Sequence, residues 1–247
     1  VTAIPNIPPF GTKTLTQRHK AVEKERNPSR LRAFALNSFE NDFFVLRFDE
    51  HWQLVSIWDK LNGREIVAEG TVANEWHLFE DKPGKYNAWD ILRNYKDHPI
   101  ALPHWTGGEI VEDGPLSIAI RLQRQFENSH AEQIIRLHRD IPRVDFETWI
   151  DWQETERLLK VAFPVSVKSR YYTTDTTAGG FERDNHQNTP WQEARFEVCT
   201  HKWTDLSEGM FGVTLMNDSK YGADVQGNVM RLSLLKAPIR PDRVRDK

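Results

Sequence analysis

Cysteine is almost absent: Cys199 stands alone in 247 residues, which excludes an intrachain disulfide and fits a reducing compartment. Within its strand-like surroundings it reads as a buried, inert thiol. No apolar run approaches the roughly 20 residues that span a bilayer. Neither sign of charge dominates, with 33 Lys and Arg against 36 Asp and Glu, so neither a nucleic-acid backbone nor an anionic membrane is implied as a partner. Metal-binding spacing is missing too. His77, His98, His104, His130, His138, His186 and His201 are scattered, with no His-x-His or His-Glu-x-x-His, which predicts no metal site in this chain. There is no internal repeat and no low-complexity tract. The chain opens at Val1 with neither a methionine nor a signal-like segment, and so reads as a piece of something longer or as a processed chain.

What is present is period-two patterning. Phe43 to Phe48, Leu54 to Trp58, Glu65 to Val67 and Trp76 to Phe79 read as strands, the second and third joined by the Asn-Gly turn in Asp59 to Arg64. Leu116, Ile118, Ile120, Leu122 and Phe126 alternate with polar residues, predicting a long strand with one wet face. Ile134 to His138 fits helix or strand, and its neighbours favour strand. Val144 to Trp152 alternates again, its acids Asp145 and Glu147 marking a solvated face. Leu158 to Val167 is nearly all apolar and reads as a strand buried on both faces. In Thr189 to Leu235, strand-like bursts fall at Phe196 and Val198, at Val213 and Leu215, and at Met230, Leu232 and Leu234. Thr204 to Gly209 and Asn217 to Gly222 read as polar turns between them. The expectation is an all-β protein with at least eight strands in one large twisted antiparallel assembly from about Phe34 onward. At this length, folding removes roughly 70 to 75% of the unfolded surface from water. Most of the aromatic 11% should fill that core.

Three loops are candidate ligand sites. Tyr86 to Asp90, within the longer loop Asp81 to Asn94, holds Tyr86, Trp89 and Asp90; Trp89 and Asp90 should be held at a strand entrance, where a ring and an acid suit a pyranose. Gly179 to Asn188 holds Glu182, Arg183 and His186, where an arginine fork can grip hydroxyls or an acid. Asp218 to Asp224 holds Lys220 and Tyr221. Contacts between domains are the plainer use of all three. No residue is assigned a catalytic role, although acids abound.

Five blocks in order carry a resemblance: ARFEV at Ala194 to Val198, the His201-Lys202-Trp203 run, DLSE at Asp205 to Glu208, ND-x-KYG at Asn217 to Gly222, and GN-x-MRLSLL at Gly227 to Leu235. With YNAWDI at Tyr86 to Ile91, RVDFET at Arg143 to Thr148 and LLKVAFPV at Leu158 to Val165, they resemble the C-terminal β domain of glycoside hydrolase family 38 α-mannosidases of the cytosolic type. Tyr86 and Asn87 replace the family's usual Trp-Asp, and His51 and Trp52 stand where an Asn-Gly turn is common. The resemblance implies an antiparallel super-sandwich of the galactose mutarotase-like kind, incomplete at its C-terminus. It implies residues 1–17 as a remnant strand of a preceding small β sandwich, 18–30 as a charged linker and 31–247 as the main domain. It further implies a cytoplasmic parent enzyme that hydrolyses terminal α-mannose with retention. The zinc and the nucleophile of that enzyme would belong to an N-terminal α/β barrel, so that this chain itself holds no cofactor. Its expected partners are a mannose-containing oligosaccharide and that barrel, with room for a homo-oligomer. A non-catalytic carbohydrate-binding or scaffold module is the rival reading, and the mutarotase-like fold that the resemblance implies adds an aldose epimerase, for which His201 and Glu197 would be the acid and base.

Overall fold

The computed structural model describes residues 38–82 and 87–238, and the expected segments 1–17 and 18–30 lie outside them, as does Tyr86. Strands β1 (Ser38–Glu40), β2 (Phe44–Phe48), β3 (Leu54–Asp59) and β4 (Arg64–Glu65) form a meander in that order. The Asp59 to Arg64 hairpin forms as expected. Asp59 Oδ1 accepts from the Leu61 and Asn62 amides at 2.8 and 3.1 Å, and Gly63 takes φ +59°. β5 (Glu75–Glu80) and β6 (Pro99–Ile100) follow, separated by a 3₁₀ turn at Tyr95–Asp97. β7 (Thr106–Asp113), β8 (Ser117–Phe126), β9 (Ser129–His138) and β10 (Val144–Asp151) make a second meander. Ile134 to His138 is strand, inside β9.

β11 (Arg157–Pro164) lies inside a six-stranded sheet, and all but its first residue are buried, as the nearly all-apolar run implies. β12 (Tyr171–Thr176) and β13 (Gly179–Asp184) pair with each other, and after the short helix α1 (Pro190–Glu193) come β14 (Val198–Cys199) and β15 (Trp203–Glu208). β16 (Phe211–Met216), β17 (Gly222–Gln226) and β18 (Val229–Lys236) complete the order. The six-stranded sheet runs β14-β17-β18-β11-β5-β6, and β13-β12-β15-β16 is a fourth sheet. Every pairing among the named strands is antiparallel.

The assembly is thus four sheets and not one continuous one, although their inner faces share a single core that runs from Phe39 and Leu46 through Ile120, Leu159 and Val161 to Leu206 and Met230. Other expectations need correction. Thr204 to Gly209 is not a turn: Thr204 and Leu206 point inward in β15, so the period of two is there with a threonine in an apolar place. Gly179 to Asp184 is edge strand β13 and not loop, invisible to periodicity because it buries no side chain. Phe196 lies outside any strand, after α1. That helix begins on a capping box, in which Thr189 Oγ1 accepts from the Gln192 amide, with Pro190 in the first turn. Cys199 is exposed, since β14 is an edge strand. The first half of β8 is buried on both faces, its wet face starts only at Arg121, and Leu116 lies outside it.

Central burial of β11 sets the first prediction. Leu159→Ala should cost about 2–5 kcal/mol of cavity and transfer energy, whereas Val55→Ala on the exposed side of β3 should stay within about 0.5 kcal/mol. Urea midpoints of the two variants check the contrast.

Candidate functional site

One charged residue interrupts the apolar run of β11. Lys160 faces Ser233 of β18 on one side and His77 of β5 on the other, next to a bulge at Leu159/Lys160. Its side chain is 0% exposed, and a lone ammonium there would cost several kcal/mol. Two carboxylates meet it. Asp224 Oδ2 of β17 lies 2.7 Å from Nζ, and Glu197 Oε2 makes a short ion pair with the same atom. The Tyr95 ring stands 5.3 Å away. Asp224 also receives Arg231 Nη1 at 3.0 Å and Lys96 Nζ at 3.3 Å, and the second Glu197 oxygen accepts from the Ser233 hydroxyl. A side chain at Gly222 would put Cβ 2.6 Å from Glu197, so glycine there lets the carboxylate in.

The charges hold each other. Burial works against the Lys160 ammonium, but Glu197 and Asp224 outweigh it and raise its pKa above the ordinary lysine range. Burial likewise opposes the Asp224 carboxylate, and Lys160, Lys96 and Arg231 outweigh that and hold its pKa low. Lys96, half in water, is lowered by burial. Tyr95 is pushed up by burial, so it stays a neutral phenol. Such a cluster is ionised throughout the neutral range and acts as a clamp.

Three of its members follow or close stretches that carry candidate residues, although Glu197 lies well beyond Gly179 to Asn188. Tyr95 ends the segment that carries Trp89 and Asp90, Glu197 follows α1, and Asp224 follows the Asn217 to Gly222 turn. Further contacts join them at the rim. Arg93 pairs with Glu193 of α1, Gln192 Nε2 donates to Asp184 Oδ2 at 3.1 Å, and the Thr200 amide donates to the Tyr221 carbonyl at 2.8 Å.

Trp89 is 71% exposed in a turn, with no strand among residues 87–98, which corrects the expected strand entrance. Asp90 is exposed and its Oδ1 accepts from the Ile91 amide at 2.9 Å. Glu182 is exposed on β13. Arg183 Nε donates to Thr174 Oγ1 at 3.1 Å, and its guanidinium lies 4.8 Å from the Phe181 ring, so part of that fork is engaged. His186 Nε2 is 3.2 Å from Gln192 Nε2. The Lys220 amide donates to Asn217 Oδ1 at 2.6 Å, and exposed Tyr221 meets His201 edge-on with ring centroids 5.5 Å apart. Sequence reasoning missed Lys160, Asp224, Tyr95 and the exposed Trp191. A lysine inside an otherwise apolar, doubly buried run was the available signal, because such a group demands acid partners. Glu197, considered above as a base, has both oxygens engaged.

A zinc site does not fit these residues: among the described residues no group of three or more His, Cys, Asp or Glu side chains could hold a metal. No helix among them is long and apolar enough to cross a membrane.

The fold is an all-β one shared with part of a glycosidase. Over 85% of the chain it matches 27% of an α-mannosidase from Enterococcus faecalis V583, with a TM-score of 0.70 and 15% sequence identity. The glycosyl hydrolases family 38 C-terminal domain matches residues 39–244, and the chain belongs to that family. It is 38% identical over 211 residues to human Alpha-mannosidase 2C1, covering 85% of this chain and 20% of the relative. To Alpha-mannosidase G of Dictyostelium discoideum it is 34% identical over 209 residues, 82% of this chain and 19% of the relative. The chain thus spans about a fifth of the length of these curated relatives.

Removing the clamp's centre should be costly. Lys160→Met leaves two buried carboxylates short of a partner, an expected loss of about 3–5 kcal/mol at pH 7. The pH dependence has a defined sign. Asp224, lowered when folded, stabilises above the usual carboxylate value near about 4 and loses this as pH falls through its folded pKa. Lys160, raised when folded, stabilises fully below about 10.4 and loses this as pH rises through its folded pKa. Asp81, raised by burial, works the other way and is relieved in acid. The gap between wild type and Lys160→Met is therefore widest near neutrality. It narrows towards about pH 4, where the variant's stranded carboxylates take up protons first. Urea denaturation across that range checks it.

Proposed function

We propose that this chain is the β-sheet part of an α-mannosidase that hydrolyses terminal α-D-mannose residues of glycans or oligosaccharides with retention. The observation that carries the reading is the match of residues 39–244 to the C-terminal domain of this glycosidase family; the Lys160 clamp, which ties Glu197 and Asp224 to β11, supports a scaffold for the loops beside them. Retaining hydrolysis needs a pair of carboxyl groups flanking the scissile bond. By the resemblance to the family, the reacting pair and the zinc belong to an α/β barrel elsewhere in the parent; in this chain Glu197 and Asp224 are engaged by cations. When bound there, zinc supplies Lewis-acid binding of sugar hydroxyls. The residues of this chain orient and enclose the sugar: the Trp89 ring covers C–H faces, and Asp90 accepts hydroxyl hydrogens. Glu182, Arg183, His186, Lys220 and Tyr221 stand on the same proposed rim, and Tyr86 precedes it.

On this reading residues 1–17 close a preceding small β sandwich, 18–30 link it, and 31–247 form the main domain. The four sheets around one core form a super-sandwich of the mutarotase-like kind. The parent works in the cytoplasm, which the similarity to Alpha-mannosidase 2C1 and the single exposed thiol support. A carbohydrate-binding module without catalysis is the second reading, favoured by the exposed rings of Trp89 and Trp191.

Two measurements separate the readings. The chain by itself is expected to turn over no aryl α-mannoside and to hold no stoichiometric zinc; clear turnover would overturn the division of labour. In the full-length enzyme, Asp90→Ala should lower kcat/KM at least roughly tenfold, about 1.4 kcal/mol, with the melting temperature little changed. Unchanged kinetics, or a loss that only tracks unfolding, would leave the loop structural.

A further inference from the structure

Away from that rim, a pocket of about 190 Å³ opens between the first meander and β8, walled by Trp52, Asn74, Trp76, His104, Trp105 and Arg124. Arg124, on β8, is 6% exposed, with its guanidinium 4.2 Å from the Trp105 ring centroid and 5.6 Å from that of Trp76. Among the described residues no carboxylate meets it. Its Nε–H is buried without an acceptor, and so is the Trp76 indole N–H. Burial alone lowers the Arg124 pKa to about 10, with no acid to oppose it. The comparison inside the same molecule is direct. Buried Lys160 has two carboxylates and Arg231 has one, while Arg124 has only rings. Stacking on aromatics is worth up to about 2 kcal/mol, less than an unpaired buried cation costs. Glu75 also lines the pocket, but its carboxylate is paired with His77 at 3.0 Å, so the Arg124 and Trp76 donors are left without an acceptor.

Its wall is also held under strain. Trp52 takes φ 59° and Asn74 φ 55°, two of the four non-glycine residues at positive φ among the described residues, and both line this one pocket. Such conformations cost about 1–3 kcal/mol each and gather at ligand clamps. Trp52 is set by its turn: Asp49 Oδ1 accepts from the His51 and Gln53 amides at 2.9 and 2.8 Å. The indole lies over Gly108, where a Cβ would fall 1.8 Å from the ring, so these two positions fit only each other. His51 stacks on His104 with ring centroids 4.1 Å apart.

We propose that this pocket binds a small organic carboxylate, its two oxygens on the edge of the Arg124 guanidinium and its apolar body against Trp52. One face of the guanidinium is taken by Trp105, which leaves the planar fork of donors along the edge, and a carboxylate matches that fork with two parallel hydrogen bonds. The volume lies below the roughly 300–1,000 Å³ of sites for drug-sized ligands, which limits the ligand to a few heavy atoms. The site is separate from the proposed sugar rim and does not depend on it.

The test titrates the 247-residue chain, by tryptophan fluorescence and thermal shift, with propionate, with neutral propionamide and with inorganic phosphate. Propionate is expected to give a saturable change that propionamide does not, and Arg124→Gln should abolish it. Trp52→Gly suits the positive φ and keeps the fold while removing the wall, so propionate should bind it at least roughly tenfold more weakly. No saturation by propionate, or an equal response to propionamide, would overturn the proposal. So would an unchanged response in folded Arg124→Gln. If that variant does not fold, unchanged affinity in Trp52→Gly is equally decisive. Saturation by phosphate but not by propionate would overturn the carboxylate assignment.

Discussion

The ammonium of Lys160 needs four segments in place at once. Tyr95, Glu197 and Asp224 lie far from it in sequence, yet each has an atom or ring against it. A charge taken wholly out of water is tolerated only when its partners are well placed, so no one of these segments can shift without exposing another to a buried, unpaired ion. Apolar contacts between Phe79, Tyr95 and Leu158 surround the cluster, but they are few, and apolar contacts alone permit sliding. The ionic contact supplies direction. It fixes where the 3₁₀ turn, the end of α1 and the start of β17 stand relative to β11, and from them the exposed loops emerge.

The inner and outer faces of the six-stranded sheet therefore hold the protein in different ways. Leu159, Val161, Met230 and Leu232 belong to the shared core, where burial of apolar surface drives folding without regard to direction. On the opposite side of the same strands, Lys160, Ser233, Arg231 and Asp224 form a connected polar network. The bulge opposite Leu159/Lys160 belongs to β18, where Leu234 is the extra residue; β11 itself alternates regularly against β5, with Leu159 inward and Lys160 towards its acids.

Much of the strand order was legible because burial on one face writes alternation into the sequence, as in β2, β10 and β18. It failed where burial was absent or was carried by polar residues. β13 buries nothing and so has no period to read. In β15, Thr204 occupies an inward position and hides the pattern. α1 was written in its capping box, Thr189 to Gln192, but is too short for any periodicity to show. The clamp was half legible. Lys160 in LLKVAFPV is a charge with nowhere to go, a signal the sequence reading passed over, and only the pairing of distant strands could name Glu197 and Asp224 from among 36 acids. Trp89 could be assigned to a loop from its Pro-Gly neighbourhood, but its exposure depends on what packs over that loop.

Arg124 and Lys160 put one physical problem in two forms. Each is a buried cation on a long central strand, and for Lys160 the chain provides the answering charge from its own sequence. Around Arg124 it provides rings, a strained tryptophan and a glycine that makes room for it, and among the described residues no acid that meets it. A cation that has its acids rigidifies, whereas one held among aromatic faces keeps its donors available to an outside acceptor. The first arrangement suits a scaffold that must hold loops to within about half an ångström for another surface to use. The second suits a place where something arrives and leaves. That both occur on one small β domain follows from how each guanidinium or ammonium is completed, and the sheets that carry them differ in little else.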